Sequence, residues 1–553
     1  MRTPFRLPIS GPSWAHLSRQ SRVAAGLLAL ALATTACETS EPAAAIESGE
    51  EDLTSNTALA REMTFAGVVY VDVGTSDSGI LQAVRKQTQS AFGAFRENNI
   101  AVNSRELSEV DAKSFIKTTM DAITPATGAV AKKVVRVTYT YKDTAVVPKS
   151  MSTRSSMSLG LLHGNYSAQV SKVLADCTSN DKHAQEFSTS VWYVFNPSLS
   201  TCKKAMAAEQ KLIDTDRIKL TSPATQVVVT EANRLYVPMT AKLLGNKTNK
   251  GRSYPEYDRL WSGGVQKGRL IISSVNGMLA DWHAGGSNEL IDDEGWGEWL
   301  MQLREVFKAR AGWKLASVEG VTAPLTFTVN GKSYAAASML DIIKWELDGT
   351  GWPAGLPTSD QRALRVAVGK QFYQRWVRFE VPLKVTIGTA AQTPVILTYD
   401  NYFGAGSSSQ PHKRGIKQAD VFLYNGHSYI GYGPLDPSNF STSDMPASYQ
   451  IFFIDSCVSY NYYEKDYFKL KTGASANLDI ITNGLETWTT GSGAALGRFI
   501  AGLTNGTQLS WSALLKTAEV PDAYSWGGDA LRVVDGELDN KYMPTTKKIV
   551  VAN

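Results

Sequence analysis

The chain is poor in the residues that thiol and metal chemistry draw on: 553 residues carry only four cysteines and six histidines. So sparse a set excludes a disulfide-scaffolded fold, which needs a much denser framework. The acidic run Asp292, Asp293 and Glu294 has neither EF-hand spacing nor a glycine at the turn and reads as a solvated helix start. No metal and no cofactor are expected. A charge of one sign is missing as well. The formal +4 comes from Arg2, Arg6, Arg19 and Arg22, which precede residue 37 with no Asp or Glu among them, and the other 52 basic residues are matched by 52 acidic ones. A nucleic-acid partner is therefore not expected. The apolar run at 23–33 (VAAGLLALALA) stops at eleven residues, against the roughly 20 that cross a bilayer as a helix.

What stands at the amino terminus is an export pattern: arginines, that apolar core, then the small residues Thr34, Thr35 and Ala36 before Cys37. Cys37 resembles the lipidated cysteine of a bacterial lipobox, although Thr34 stands where Leu is usual. The resemblance implies a signal peptide over 1–37 and a membrane partner reached through a lipid at Cys37. The chain would then be an envelope lipoprotein of the outer membrane or periplasm, with simple secretion as the alternative. Residues 38–62 are rich in Ala, Glu and Ser and read as a flexible tether. In an oxidising compartment Cys177 and Cys202, 25 positions apart, are expected to pair. That leaves Cys457 alone, an exported thiol that is either buried or used.

The fold class expected is α/β. Residues 63–290 alternate strand-like and helix-like stretches, with strands at 65–73, 134–141 and 191–196 and helices at 80–95 and 203–213, and read as a separate α+β domain of unassigned role. His163 and His183 are isolated there and are assigned ordinary structural roles. Residues 291–379 read as a connecting helical region, led by an aromatic-faced helix over 294–312. From 380 to 553, apolar runs at 381–388, 395–403, 420–426, 450–457 and 478–484 alternate with helical patterns at 494–503 and 509–519. Continuous apolar runs mark strands covered on both faces, hence a mostly parallel sheet with flanking helices. In such sheets ligands bind beyond the carboxyl ends of the strands.

Two of those ends carry chemistry. Residues 421–428 (VFLYNGHS) end at His427, and residues 451–460 (IFFIDSCVSY) contain Cys457. A thiol and an imidazole are the minimum for nucleophilic acyl transfer, the thiolate attacking a carbonyl while the imidazole moves the proton. Backbone N–H groups of the Gly426–Ser428 turn and of Cys457 are candidates for holding the oxyanion. The pair of motifs resembles the caspase-like cysteine peptidases: caspases, metacaspases, legumains, clostripain and gingipains. The order Asp455, Ser456, Cys457 is most similar to metacaspases, and the short His-to-Cys interval and the tail over 478–518 to gingipain-like peptidases. The resemblance implies a caspase-like fold over 380–553, a peptide or protein substrate, His427 as proton carrier and Cys457 as nucleophile. It also implies a substrate pocket involving Asp455 and Trp488, with Asp455 receiving a basic side chain before the scissile bond. Ser428 and Tyr460 depart from the pattern, standing where glycine is commoner. Two other readings follow from the same residues: a serine hydrolase using Ser428, for which Ile430 occupies the second glycine position of the Gly-x-Ser-x-Gly elbow, and a non-cutting surface lipoprotein that binds through the aromatics of 460–468.

Overall fold

Two β-sheets organise the protein, and a computed structural model describes residues 53–249, 251–279, 290–487, 491–519 and 530–553. The expectations for the signal segment, Cys37, the tether up to residue 52 and Trp488 lie outside the described residues. The first sheet comprises β1 (Ala58–Asp72), β2 (Ala101–Val102), β3 (Ile116–Ile123), β4 (Val130–Pro148), β5 (Ser156–Leu162), β6 (Gln226–Val228) and β7 (Tyr236–Asn246). Its order is β5-β7-β1-β4-β3-β6 with β2 against β4, antiparallel throughout except for β3 with β6.

The second sheet begins earlier than a boundary at residue 290 allows. β8 (Arg269–Gly277) lies in its interior, followed along the chain by β9 (Lys314–Val318) and the separate hairpin of β10 (Thr326–Val329) and β11 (Lys332–Ala335). Then come β12 (Trp376–Ile387), β13 (Thr393–Ala405), β14 (Val421–Asn425), β15 (Gln450–Asp455), β16 (Leu478–Asn483), β17 (Arg532–Asp535) and β18 (Ile549–Ala552). The order is β17-β16-β15-β14-β8-β13-β12-β18, with β9 also on β12. The interior run from β13 to β16 is parallel, and both margins are antiparallel. The region 291–379 is thus not only helical. β8 hides from a hydrophobicity reading because Ser273, Ser274 and Asn276 interrupt it. Two of them find partners in the interior: Gln302 reaches in from the helix Glu294–Ala309 and donates to Ser274 Oγ at 2.9 Å, which also receives Asn276 Nδ2 at 3.1 Å.

Side chains alternate between the two faces of the parallel strands, as the period of two requires. Leu423, Ile451, Phe453 and Ile481 enter a core with Trp299, Leu300 and Phe499, whereas Phe422, Tyr424, Phe452 and Ile454 enter one with Phe65, Phe92, Phe95 and Tyr193. The second core is shared: the first sheet and its helices pack onto the face of the parallel sheet. Part of that cover is residues 191–194, expected as a strand and found as the short helix Val191–Val194. A short apolar run fits either element, and here Tyr193 packs against Phe92 and Phe187 on the helix.

Cys177 and Cys202 are disulfide-bonded, with Cα atoms 4.5 Å apart. Closing a loop of that size is worth about 3 kcal/mol, so reduction should lower the melting temperature by several degrees; a reductant-insensitive melt contradicts this. His163 has the structural role expected: it is buried and its Nε2 accepts the Tyr70 N–H at 3.0 Å. Among the described residues no helix is long and apolar enough to cross a membrane.

Candidate active site

The chain order of the parallel strands reverses at β8: β13 is laid down on one side of it and β14 on the other. Ligand crevices form outside the carboxyl ends of strands at such a switch point. β14 and β15 are parallel neighbours in the register Asn425 with Asp455. His427 and Cys457 each follow two residues later, so they leave equivalent points of strands about 4.8 Å apart. Between the two strands the chain returns through short 3-10 turns at Tyr429–Gly431, Pro437–Asn439 and Thr442–Asp444 instead of the usual crossover helix.

The loop after β14 is fixed by tyrosines. Tyr424 Oη donates to the His427 carbonyl at 2.9 Å, and Tyr463 Oη donates to the Ser428 carbonyl. Gly426 is obligatory for a steric reason, because a Cβ there would meet Tyr424 Oη at 2.5 Å. Beyond Ser428 the backbone of Tyr429 and Ile430 is left-handed, each with φ of 52°. For a β-branched residue that is costly and is found mainly where surrounding structure enforces it, functional loops included. The His427 ring is exposed. The protein crowded around its inner side lowers its pKa, opposed by a hydrogen bond to the Leu279 backbone, so the imidazole is neutral at neutral pH. Leu279 lies just beyond β8, and its N–H is held by Asp293 Oδ1 at 3.1 Å, the same oxygen that caps the following helix through Gly295 N at 2.7 Å. Asp293 and its acidic neighbours are therefore a helix start, as expected, and they also steady the His427 side of the crevice.

The turn after β15 is equally constrained. Val458, immediately after Cys457, has φ of 50°, and its N–H is bound by the Leu485 carbonyl at 2.9 Å. Ser459 Oγ donates to the Ile454 carbonyl and accepts from Asn483 N, both at 2.8 Å, tying the turn to β16. Cys457 is half-buried and its Sγ–H donates to the Thr487 carbonyl at 3.7 Å. Burial, the Glu486 carboxylate and the Asp455 carboxylate push the thiol up to about 11, against hydrogen bonding with Thr487. The thiol is then protonated at neutral pH. Iodoacetamide should label Cys457 of the intact chain more slowly than an ordinary cysteine at neutral pH, with a rate that climbs towards pH 11. Rapid labelling in mild acid would contradict this.

Other expected site residues stand differently. Asp455 is buried and committed inward: Asn483 Nδ2 donates to its Oδ1 at 2.7 Å, and Arg532 Nη2 lies 3.4 Å from the same oxygen. It is not presented as a pocket wall. The Gly426 N–H is directed at the Asp455 carbonyl at 3.4 Å, so it is not an oxyanion donor in this state. Ser428 is buried and leads into a single 3-10 turn, not the helix that a nucleophile elbow requires. Tyr460, Tyr462, Tyr463 and Tyr467 are buried in the core, so the 460–468 aromatics do not form a contact surface.

Sequence reasoning missed Glu486. Its carboxylate is part-exposed beside Cys457, accepting from Arg96 Nη1 and from Tyr193 Oη, both at 3.1 Å. An acidic residue two positions before Trp488, just past a strand end, was the signal available; nothing in the sequence pointed to Arg96, 390 positions away. Among the described residues no three His, Cys, Asp or Glu side chains gather as a metal would require. No protein-family model and no curated protein matches the chain.

Proposed function

We propose that the chain is an exported, lipid-anchored cysteine endopeptidase of caspase-like fold, using Cys457 as nucleophile and His427 as proton carrier. The observation that carries this reading is the equal offset of the two residues from the paired ends of neighbouring parallel strands, beside the switch point of the sheet. The Cys177–Cys202 disulfide supports an oxidising destination. Left-handed backbone at Ile430 and Val458, one on each loop, supports a site whose geometry is enforced at some cost in stability.

The chemistry is acyl transfer. Neutral His427 takes the Cys457 proton as sulfur attacks the scissile carbonyl carbon. The tetrahedral oxyanion collapses, the C–N bond breaks, and the imidazolium returns the proton to the leaving amine. Water, deprotonated by the same imidazole, then splits the thioester and restores the thiol. Because the resting thiol is held protonated and donates to Thr487, the first proton transfer requires the 485–487 loop to release it. This resting state is also what favours the rival reading, a caspase-like binding module that does not cut.

A mixture of unstructured peptides incubated with the full chain separates the two. New carboxy termini mapped by mass spectrometry should appear after Arg or Lys, and peptides left whole would reject the endopeptidase.

A further inference from the structure

The helix Ser200–Arg217 packs on β6 and β7 and runs for about 27 Å along the outside of the first sheet. Its inward side is fixed three times over. Cys202 is disulfide-bonded to Cys177, Ile213 is fully buried, and the Glu209 carboxylate accepts Leu235 N and Tyr236 N, both at 2.8 Å. At 3.6 residues per turn the opposite side carries Lys203, Lys204 and Lys211, with Leu212 at its margin. Lys219 N donates to the Asp216 carbonyl at 3.0 Å, so Ile218 and Lys219 continue the last turn on that same side. All four lysines are exposed, and so are the two aliphatic side chains, Leu212 at 54% and Ile218 at 75%. None of the four ammonium groups has an ion pair or a side-chain hydrogen bond among the described residues. Elsewhere on the first sheet, Lys117, Lys132 and Lys133 are neutralised by Asp77, Asp72 and Asp121. The acid on the outward side, Asp214, is engaged by Arg217 at 3.3 Å and Gln210 at 2.8 Å.

We propose that this face docks on an anionic membrane surface, the four lysines meeting lipid phosphates while Leu212 and Ile218 enter the headgroup boundary. The proposal goes beyond the peptidase reading and stands whether or not Cys457 cuts. Charge complementarity carries it: outside the first 36 residues 52 basic residues face 52 acidic ones, so four unpaired lysines on one helix are a local surplus and not a share of general basicity. Exposed aliphatic side chains among the cations favour lipid over nucleic acid, which has nothing to offer them beyond its phosphates. Each lysine near an anionic surface strengthens binding roughly fivefold, so four acting together multiply to several hundredfold. A helix of this kind lies in the plane of the interface, in keeping with the lack of a membrane-crossing helix among the described residues. The disulfide, on the inward side of the first turn, holds the docking face to the body. Residues 38–52 span at most about 50 Å, so a lipid at Cys37 would keep the face within reach of the bilayer, although the face does not require that lipid.

The test reads acetylation of individual lysines in the full chain by an N-hydroxysuccinimide ester, mapped by mass spectrometry, with vesicles of mixed phosphatidylglycerol and phosphatidylcholine or of phosphatidylcholine alone. On the mixed vesicles at low salt, Lys203, Lys204, Lys211 and Lys219 should react at least about fivefold more slowly than in solution. Lys308 and Lys384, exposed on the other sheet and its helices, should react as before. Salt at about 1 M, where the screening length falls to about 3 Å, should restore the solution rates. The readout is local, so binding through the amino-terminal apolar segment or a lipid at Cys37 does not imitate it. A chain that sediments with the mixed vesicles while the four lysines react at their solution rates overturns the proposal, and so does equal protection on phosphatidylcholine alone. Leu212→Glu combined with Ile218→Glu changes two exposed side chains, leaves the lysines in place and should lose most of the protection; undiminished protection in that variant also overturns it. Protection by polyglutamate or duplex DNA but not by the vesicles would give the face to an acidic macromolecule and overturn the lipid surface.

Discussion

If the proposed dyad operates, Cys457→Ala should abolish hydrolysis of Arg- and Lys-containing peptides, and His427→Ala should lower it by about 10²–10⁴-fold, the share that a positioned acid-base group supplies. The two effects differ because alanine at 457 leaves no atom to carry the acyl group, whereas without His427 a thiolate still forms slowly through water. The residual rate in His427→Ala should therefore rise with pH as the thiol, held up near 11, ionises without help. His427 is exposed, so its substitution should leave the melting temperature nearly unchanged, within about 0.5 kcal/mol of stability. Equal turnover in wild type and Cys457→Ala, with intact melts in both, would remove the nucleophile assignment.

Asp455→Ala should be among the most destabilising single changes in the protein. It strips Arg532, 8% exposed, of its ion-pair partner and leaves the Asn483 amide only its longer bond to the Ser456 carbonyl at 3.4 Å. Breaking a buried pair by removing one charge costs about 3–5 kcal/mol, because the remaining guanidinium stays out of water. Arg532 keeps two other contacts, to Asn483 Oδ1 at 3.1 Å and the Ala518 carbonyl at 3.2 Å, which places the expected loss at the lower end. Asp455→Asn, matched in shape, should also be destabilised, and any remaining peptidase activity should keep its preference for basic residues. A melt like wild type together with a lost preference would return Asp455 to the pocket.

How far the sequence carried the structure depends on where each partner lies. β14 and β15 were legible because both are unbroken apolar runs bounded by polar residues, as strands buried on two faces must be. His427 and Cys457 were found because each sits at the end of such a run. β8 was not found, since two serines and an asparagine interrupt its apolar run and the partner of Ser274, Gln302, lies on a later helix. Residues 191–194 were read with the wrong period because four apolar residues cannot distinguish a strand from a helix. Asp455 was given to the pocket because its Arg532 partner is 77 positions away. Glu486 was overlooked because its partners, Arg96 and Tyr193, lie 390 and 293 positions away on helices packed with the other sheet.

Covalent labelling reads the nucleophile and its base together. An arginyl peptide carrying an acyloxymethyl ketone, presented to the full chain at neutral pH, should leave one adduct on Cys457, and His427→Ala should slow that labelling by orders of magnitude. An adduct on another residue, no adduct at all, or equal labelling with and without His427 would contradict a thiol and imidazole working as a pair at the ends of β14 and β15.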